Sequence, residues 1–148
     1  MSTDWKDLYT QKQDLEQPIG YIRYNEIILD HFKNPRNVGE IEYPDSEAII
    51  GDPACGDHIQ LYLKIDDDKI VDIKYKAFGC PAAIATTSIL CELALGKDLD
   101  GALMISDDDV IEAAGGIPAR KAHCSLLGVV GLHTAIADYL MKKEKGRE

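Results

Sequence analysis

The chain predicts an α+β fold, a three-stranded antiparallel sheet with helices packed on one of its faces, and three observations carry that expectation. Ile59, Leu61, Leu63 and Ile65 alternate with His58, Gln60, Tyr62 and Lys64, the period-two signature of a strand with one wet face. Val71, Ile73, Tyr75 and Ala77 alternate likewise, and the short polar connection Asp66 to Lys69 makes the two runs an antiparallel hairpin. Beyond residue 80 the apolar spacing becomes helical, and strands followed by helices argue for a layered α+β sandwich.

The remaining elements follow in chain order. Residues 3–16 are polar with scattered Trp5, Leu8, Tyr9 and Leu15, an extra N-terminal helix broken at Pro18 and Gly20. A second helix is expected from Tyr21 to Phe32, stopped by Asn34-Pro35. Glu47 to Gly51 adds the third strand. After Cys80, Pro81 suits a first helical turn, and Ile84, Ser88, Cys91 and Leu95 lie along one stripe up to Gly96. Ser106 is a good N-cap for a short helix from Asp107 that closes at Gly115-Gly116. A last helix is expected just past Pro118, running through Leu126, Leu127, Val130, Ile136, Ala137 and Leu140, with Lys142, Lys143 and Lys145 at its negative end. Residues 1–20 read as an extension and residues 21–148 as one domain, long enough to hide roughly 70% of the extended surface.

Composition narrows the function. With 26 acidic residues against 16 basic, the formal charge of -10 repels phosphate backbones and anionic lipid, so neither nucleic acid nor a membrane is an expected partner. No stretch approaches the roughly 18 apolar residues of a membrane span, and the first 20 residues, with Asp4, Asp7, Asp14 and Glu16, fit no signal or transit peptide. The expected location is the cytoplasm. Four cysteines without a Cys-x-x-Cys pair read as reduced thiols rather than a disulfide framework.

Three of those cysteines sit where regular elements begin or end. Cys55 lies in a Pro- and Gly-containing turn, Asp52-Pro53-Ala54-Cys55-Gly56-Asp57, which makes an accessible thiol. Cys80 ends a strand and opens a helix, where the helix terminus favours its thiolate. Cys124 falls in the first turns of the last helix, with Lys121 and His123 favouring the same ionisation. Soft thiolates select iron-sulfur clusters, zinc or copper(I). Completing the shell with the Asp57 carboxylate or the His123 imidazole gives an asymmetric, exchangeable site, and the same four donors would hold zinc tetrahedrally. Cys91 shares the apolar stripe of Ile84 and Leu95, about 16 Å from Cys80, and is expected to pack. His133, about 15 Å along the helix from His123, is expected at the surface or facing a partner; His58 falls on the wet sheet face, and His31 caps or packs its helix. Asp66 to Asp68 and Asp107 to Asp109 lack the glycine and glutamate of a calcium loop and read as a turn and a helix start.

At these residues the chain resembles the IscU family of iron-sulfur cluster assembly scaffolds, found also as the N-terminal domain of NifU. The resemblance runs from Tyr21 to Leu140 through Tyr24-Asn25 to Asp30-His31-Phe32, Asn34-Pro35-Arg36-Asn37-Val38-Gly39, Pro53 to Asp57, Phe78-Gly79-Cys80 and Lys121-Ala122-His123-Cys124-Ser125. It implies a SufE/IscU-like sandwich and a non-enzymatic scaffold on which Cys55, Cys80 and Cys124, with Asp57 or His123, bind a [2Fe-2S] cluster, iron or zinc. It further implies that a cysteine desulfurase of the IscS/NifS kind delivers persulfide sulfur to Cys124, that Lys121 lies next to the site and Asp57 aids release, and that the cluster passes to acceptor apoproteins. Ferredoxin, a frataxin-like protein and an Hsp70 chaperone are further implied partners. Where familiar bacterial members carry the chaperone motif Leu-Pro-Pro-Val-Lys, this chain reads Ile117-Pro118-Ala119-Arg120-Lys121. Competing expectations are a zinc-dependent SufU-like sulfurtransferase, whose insertion between the second and third cysteines is missing here, and a structural zinc module.

Overall fold

The computed structural model describes residues 25–52, 57–79, 81–117 and 124–145. The first described helix, α1 (Glu26–Lys33), is capped by Asn25, which is extended and whose side chain accepts from the Ile28 N–H at 2.9 Å; residues 21–24 of the expected helix lie outside the described residues. Asn34 closes the helix and Pro35 forbids its continuation. The expected helix over residues 3–16 lies outside the described residues.

The strands β1 (Ser46–Asp52), β2 (Asp57–Asp66) and β3 (Lys69–Phe78) form one antiparallel sheet in the order β1-β2-β3. Asp67 and Asp68, both at positive φ (52° and 57°), make the two-residue hairpin turn, a backbone twist that matches that of the flanking strands. Ile59, Leu61 and Leu63 point inward and are fully buried, as alternation requires. Val71 corrects the expectation: a register shift between Lys64 and Ile65 pairs Ile65 with Ile70 and Lys64 with Asp72, so Ile70 is buried and Val71 is 51% exposed. The outer side of β3 is stitched by loops, through Tyr75 N–H to Asn37 O, Gly39 N–H to Tyr75 O and Ile70 N–H to Lys97 O, each 2.9 Å.

Helix α2 (Pro81–Ala94) is the hub of the helical layer. Instead of one buried stripe, it is sealed on nearly every side, from Ala82 and Ala83 through Thr86, Thr87, Ser88, Leu90 and Cys91 to Ala94. Leu95, expected on the stripe, lies past the helix end and is exposed, because the chain turns at Gly96 (φ 86°). The buried hydroxyls of Thr86 and Thr87 donate back to Ala82 O and Ala83 O at 2.6 and 2.7 Å, so small polar residues sit in the core without an orphaned group.

A five-residue helix, α3 (Leu99–Leu103), which the sequence reading passes over, is capped by Asp98, whose carboxylate accepts from Gly101 N–H. Helix α4 (Asp107–Ala113) carries the expected Ser106 cap as a reciprocal pair with Asp109. The last helix, α5 (Cys124–Lys145), buries Leu132, Ala135 and Ile136 against α2 and the sheet and anchors its end through Lys143 to Asp68 at 2.7 Å. No described helix is long and apolar enough to cross a membrane.

Candidate functional site

Three element ends are brought to one rim of the molecule. Asp52, the last residue of β1, pairs with Asp57, the first of β2, so residues 53–56 connect two paired positions. His58 pairs with Phe78, which places the end of β3 at that same rim. Helix α2 runs back along β3: the Tyr75 hydroxyl donates to Ile84 O at 3.0 Å, and Gly96 N–H bonds Ile70 O at the far end. Its first residue, Pro81, therefore starts beside Phe78.

The direction of α5 follows from two contacts. Gly131 lies against Ile50, while Ser46 Oγ donates to Ala135 O at 2.6 Å, so α5 and β1 run in opposite directions. Seven residues before Gly131 is about 10 Å of helix, which carries the α5 start at Cys124 back to the level of Asp52. Close packing helps: a Cβ on Gly128 would come within 2.9 Å of Leu90 Cδ2, so glycine lets α5 approach α2 at its N-terminal end.

The sequence-derived site residues Cys55, Cys80, Lys121 and His123 lie outside the described residues, and Asp57 and Cys124 are described by their backbone alone. Among the described residues no cluster of His, Cys, Asp or Glu could hold a metal ion. Cys91 packs as expected: it is fully buried, and desolvation pushes its thiol well above the usual range, the opposite of an available thiolate. At the rim, the half-buried His58 ring meets the exposed Phe78 edge-to-face with centroids 5.7 Å apart. The signal for Phe78 was an aromatic at a polar parity of β3. His133 is half-buried rather than at the surface, with a sealed Nε2 that has no hydrogen-bond partner among the described residues.

A polar network that the sequence did not reveal joins α1 to α2. His31 Nδ1 lies 2.8 Å from Ser88 Oγ, which also accepts from Arg36 N–H, while His31 Nε2 lies 3.3 Å from Glu92 and Arg36 pairs with Asp30 at 2.7 Å. Burial lowers the His31 pKa, and the Arg36 charge adds to this against the opposing pull of Glu92 and Asp30. A histidine whose folded pKa is depressed takes up protons on unfolding, so its stability contribution is complete above the ordinary value near 6.5 and is lost as pH falls below it. Urea midpoints measured from pH 8 to pH 5 are therefore expected to fall, with a smaller fall in His31→Gln. An unchanged pH profile in that variant would remove the role assigned to His31.

Comparison with known proteins agrees with this architecture. The family described as NifU-like N terminal domain matches residues 23–146. Iron-sulfur cluster assembly scaffold protein IscU 1 of Archaeoglobus fulgidus is 49% identical over 122 residues, 82% of this chain and 80% of that one. The scaffold protein IscU of Escherichia coli K12 is 41% identical over 125 residues, covering 82% of this chain and 97% of the relative. The corresponding protein of Drosophila melanogaster, called an assembly enzyme, is 38% identical, covering 87% and 86%. Among solved structures, the iron-sulfur cluster assembly scaffold for the SUF system of Fervidobacterium islandicum superposes with a TM-score of 0.63 at 25% identity, covering 76% of this chain and 96% of that one. The N-terminal NifU-like protein of Brucella abortus shares the fold, with a TM-score of 0.68 at 20% identity over 80% and 94%.

Proposed function

The chain belongs to the family of NifU-like N-terminal domains, and from that premise we propose that it is a scaffold on which an iron-sulfur cluster is assembled and then passed on. The observation that supports this most is the shared rim: the segments bearing Cys55, Cys80 and Cys124 leave or enter it from β1–β2, β3–α2 and α5. In this reading the cargo is a [2Fe-2S] cluster or its iron precursor, held by the three thiolates with Asp57 or His123, and zinc is a competing occupant.

Sulfur arrives as persulfide from a cysteine desulfurase. The Cys124 thiolate attacks the terminal sulfur, the sulfur–sulfur bond breaks, and the desulfurase thiolate leaves. Lys121 supports the thiolate by its charge. The chain itself is a sulfur acceptor rather than an enzyme. It works in the cytoplasm as one domain from residue 21 onward, with acceptor apoproteins receiving the cluster and ferredoxin and frataxin-like proteins as further partners, while Ile117-Pro118-Ala119-Arg120-Lys121 in place of the chaperone motif speaks against transfer through an Hsp70.

Anaerobic incubation of the full chain with ferrous iron, cysteine, a desulfurase and a thiol reductant, which supplies the two electrons that turn each persulfide sulfur into cluster sulfide, tests this. Visible cluster absorption with iron and sulfide in equal amounts is expected; tight zinc with persulfide turnover and no cluster would overturn it. In Asp57→Ala, loss of a hard oxygen and its charge is expected to slow release, so the absorption should outlast the parent's on exposure to an acceptor or chelator. Equal or faster decay would remove Asp57 from the release step.

A further inference from the structure

Residues 1–22 precede the family match, so whatever they do is additional to the family's shared domain. Away from the rim, a cleft of about 490 Å³ opens between the end of α2, α3 and α4. Leu93, Ile105 and Ala113 line it with apolar surface, Lys97 adds one positive charge and Asp109 and Glu112 two negative ones, and Met104, 80% exposed, stands at its edge. An exposed, unbranched thioether beside a partly apolar cleft is an adaptable contact surface.

The occupant is indicated by where the chain enters the described structure. Asn25 Nδ2 donates to Ala114 O at 2.8 Å and to Gly116 O at 3.1 Å, at the end of the very helix whose Glu112 and Ala113 line the cleft. The segment ahead of Asn25 is thereby tethered at the cleft's border. Residues 17–24 span up to about 26 Å when extended, against about 10 Å for the whole of α4, so reach is ample. A short tether also raises the local concentration to the order of millimolar, so a weak contact suffices. Trp5, Leu8 and Leu15 share one stripe at helical spacing that suits the apolar Leu93, Ile105 and Ala113, and Lys6 offers a charge opposite to Asp109 and Glu112.

We infer that residues 3–16 dock as an amphipathic helix into this cleft of their own chain, with Trp5 or Leu8 beside Met104. Trp5 is the chain's single tryptophan, so its emission reports this segment alone. In the full chain the emission is expected at shorter wavelength than in a peptide of residues 1–20, independent of protein concentration. Met104→Glu and Met104→Lys, both at an exposed position, should return it to the peptide value, while Ile49→Glu on the outer sheet face should leave it shifted. Three results would each overturn the inference: emission equal to the peptide's, a shift that survives both Met104 variants, or a shift that grows with concentration, which would mean docking on a second copy. Cluster assembly plays no part in the readout, so its failure would not be confused with failure of the docking.

Discussion

Cys55→Ala, Cys80→Ala and Cys124→Ala are each expected to abolish the visible absorption that the parent chain acquires with iron, sulfide and a desulfurase, while the far-ultraviolet circular dichroism stays unchanged. The reason lies in donor number: durable clusters use four ligands, and removing one of three thiolates leaves at most two soft donors and a hard one. Helical content should survive because the core that holds α2 and α5 is built from Leu90, Leu132 and Ile136, far from the thiol positions in chemistry if not in sequence. Cys91→Ala is the matched control. It removes a fully buried sulfur with a raised pKa, so it should cost stability and spare the cluster. Retained absorption in any of the three rim variants, or its loss in Cys91→Ala, would redraw the ligand set.

Leu61→Ala is expected to destabilise the fold by roughly 2–5 kcal/mol. Leu61 is fully buried on the central strand, paired with Ala48 on one side and Tyr75 on the other, and it lies under α5 beside Gly131. A vacated volume there is walled by strands on both flanks and a glycine above, so little can collapse into it. For a chain of this size that corresponds to a fall in melting temperature on the order of 10 °C. Ile49→Ala, 65% exposed on the neighbouring strand, should stay within about 0.5 kcal/mol of the parent. Comparable thermal shifts in the two variants would contradict the burial of Leu61.

The hairpin was legible because alternation and a polar connection are local signals, and the Ser106 cap because its partner lies three residues away. The bulge was not. Ile70 and Val71 are adjacent and both apolar, so the sequence offers no sign of which faces inward; the register with Lys64 and Ile65 decides it. Helix α2 misled for a related reason: alanine, threonine and serine carry little periodicity, yet their small size is what lets the helix be enclosed on nearly every side. Helix α3 is short and has Gly101 in its middle, which masks it from propensity. The candidate ligands stood out through their turn-forming neighbours, whereas the His31–Ser88–Glu92 network joins residues nearly sixty positions apart, a distance over which no local pattern operates. Asn25 combines both cases, since its cap on α1 is local but its grip on Ala114 and Gly116 is not.

The loop stitching along β3 also bears on how copies of this chain can associate. Tyr75 and Ile70 spend their outward backbone groups on Asn37, Gly39, Gly96 and Lys97, whereas no described residue does the same for the outward side of β1. Growth of a fibril by end-to-end strand pairing needs two open borders on every subunit, and here one is closed. Among the described residues β1 alone keeps a border without loop partners, and pairing through it would use that border on both partners and stop at a symmetric twosome.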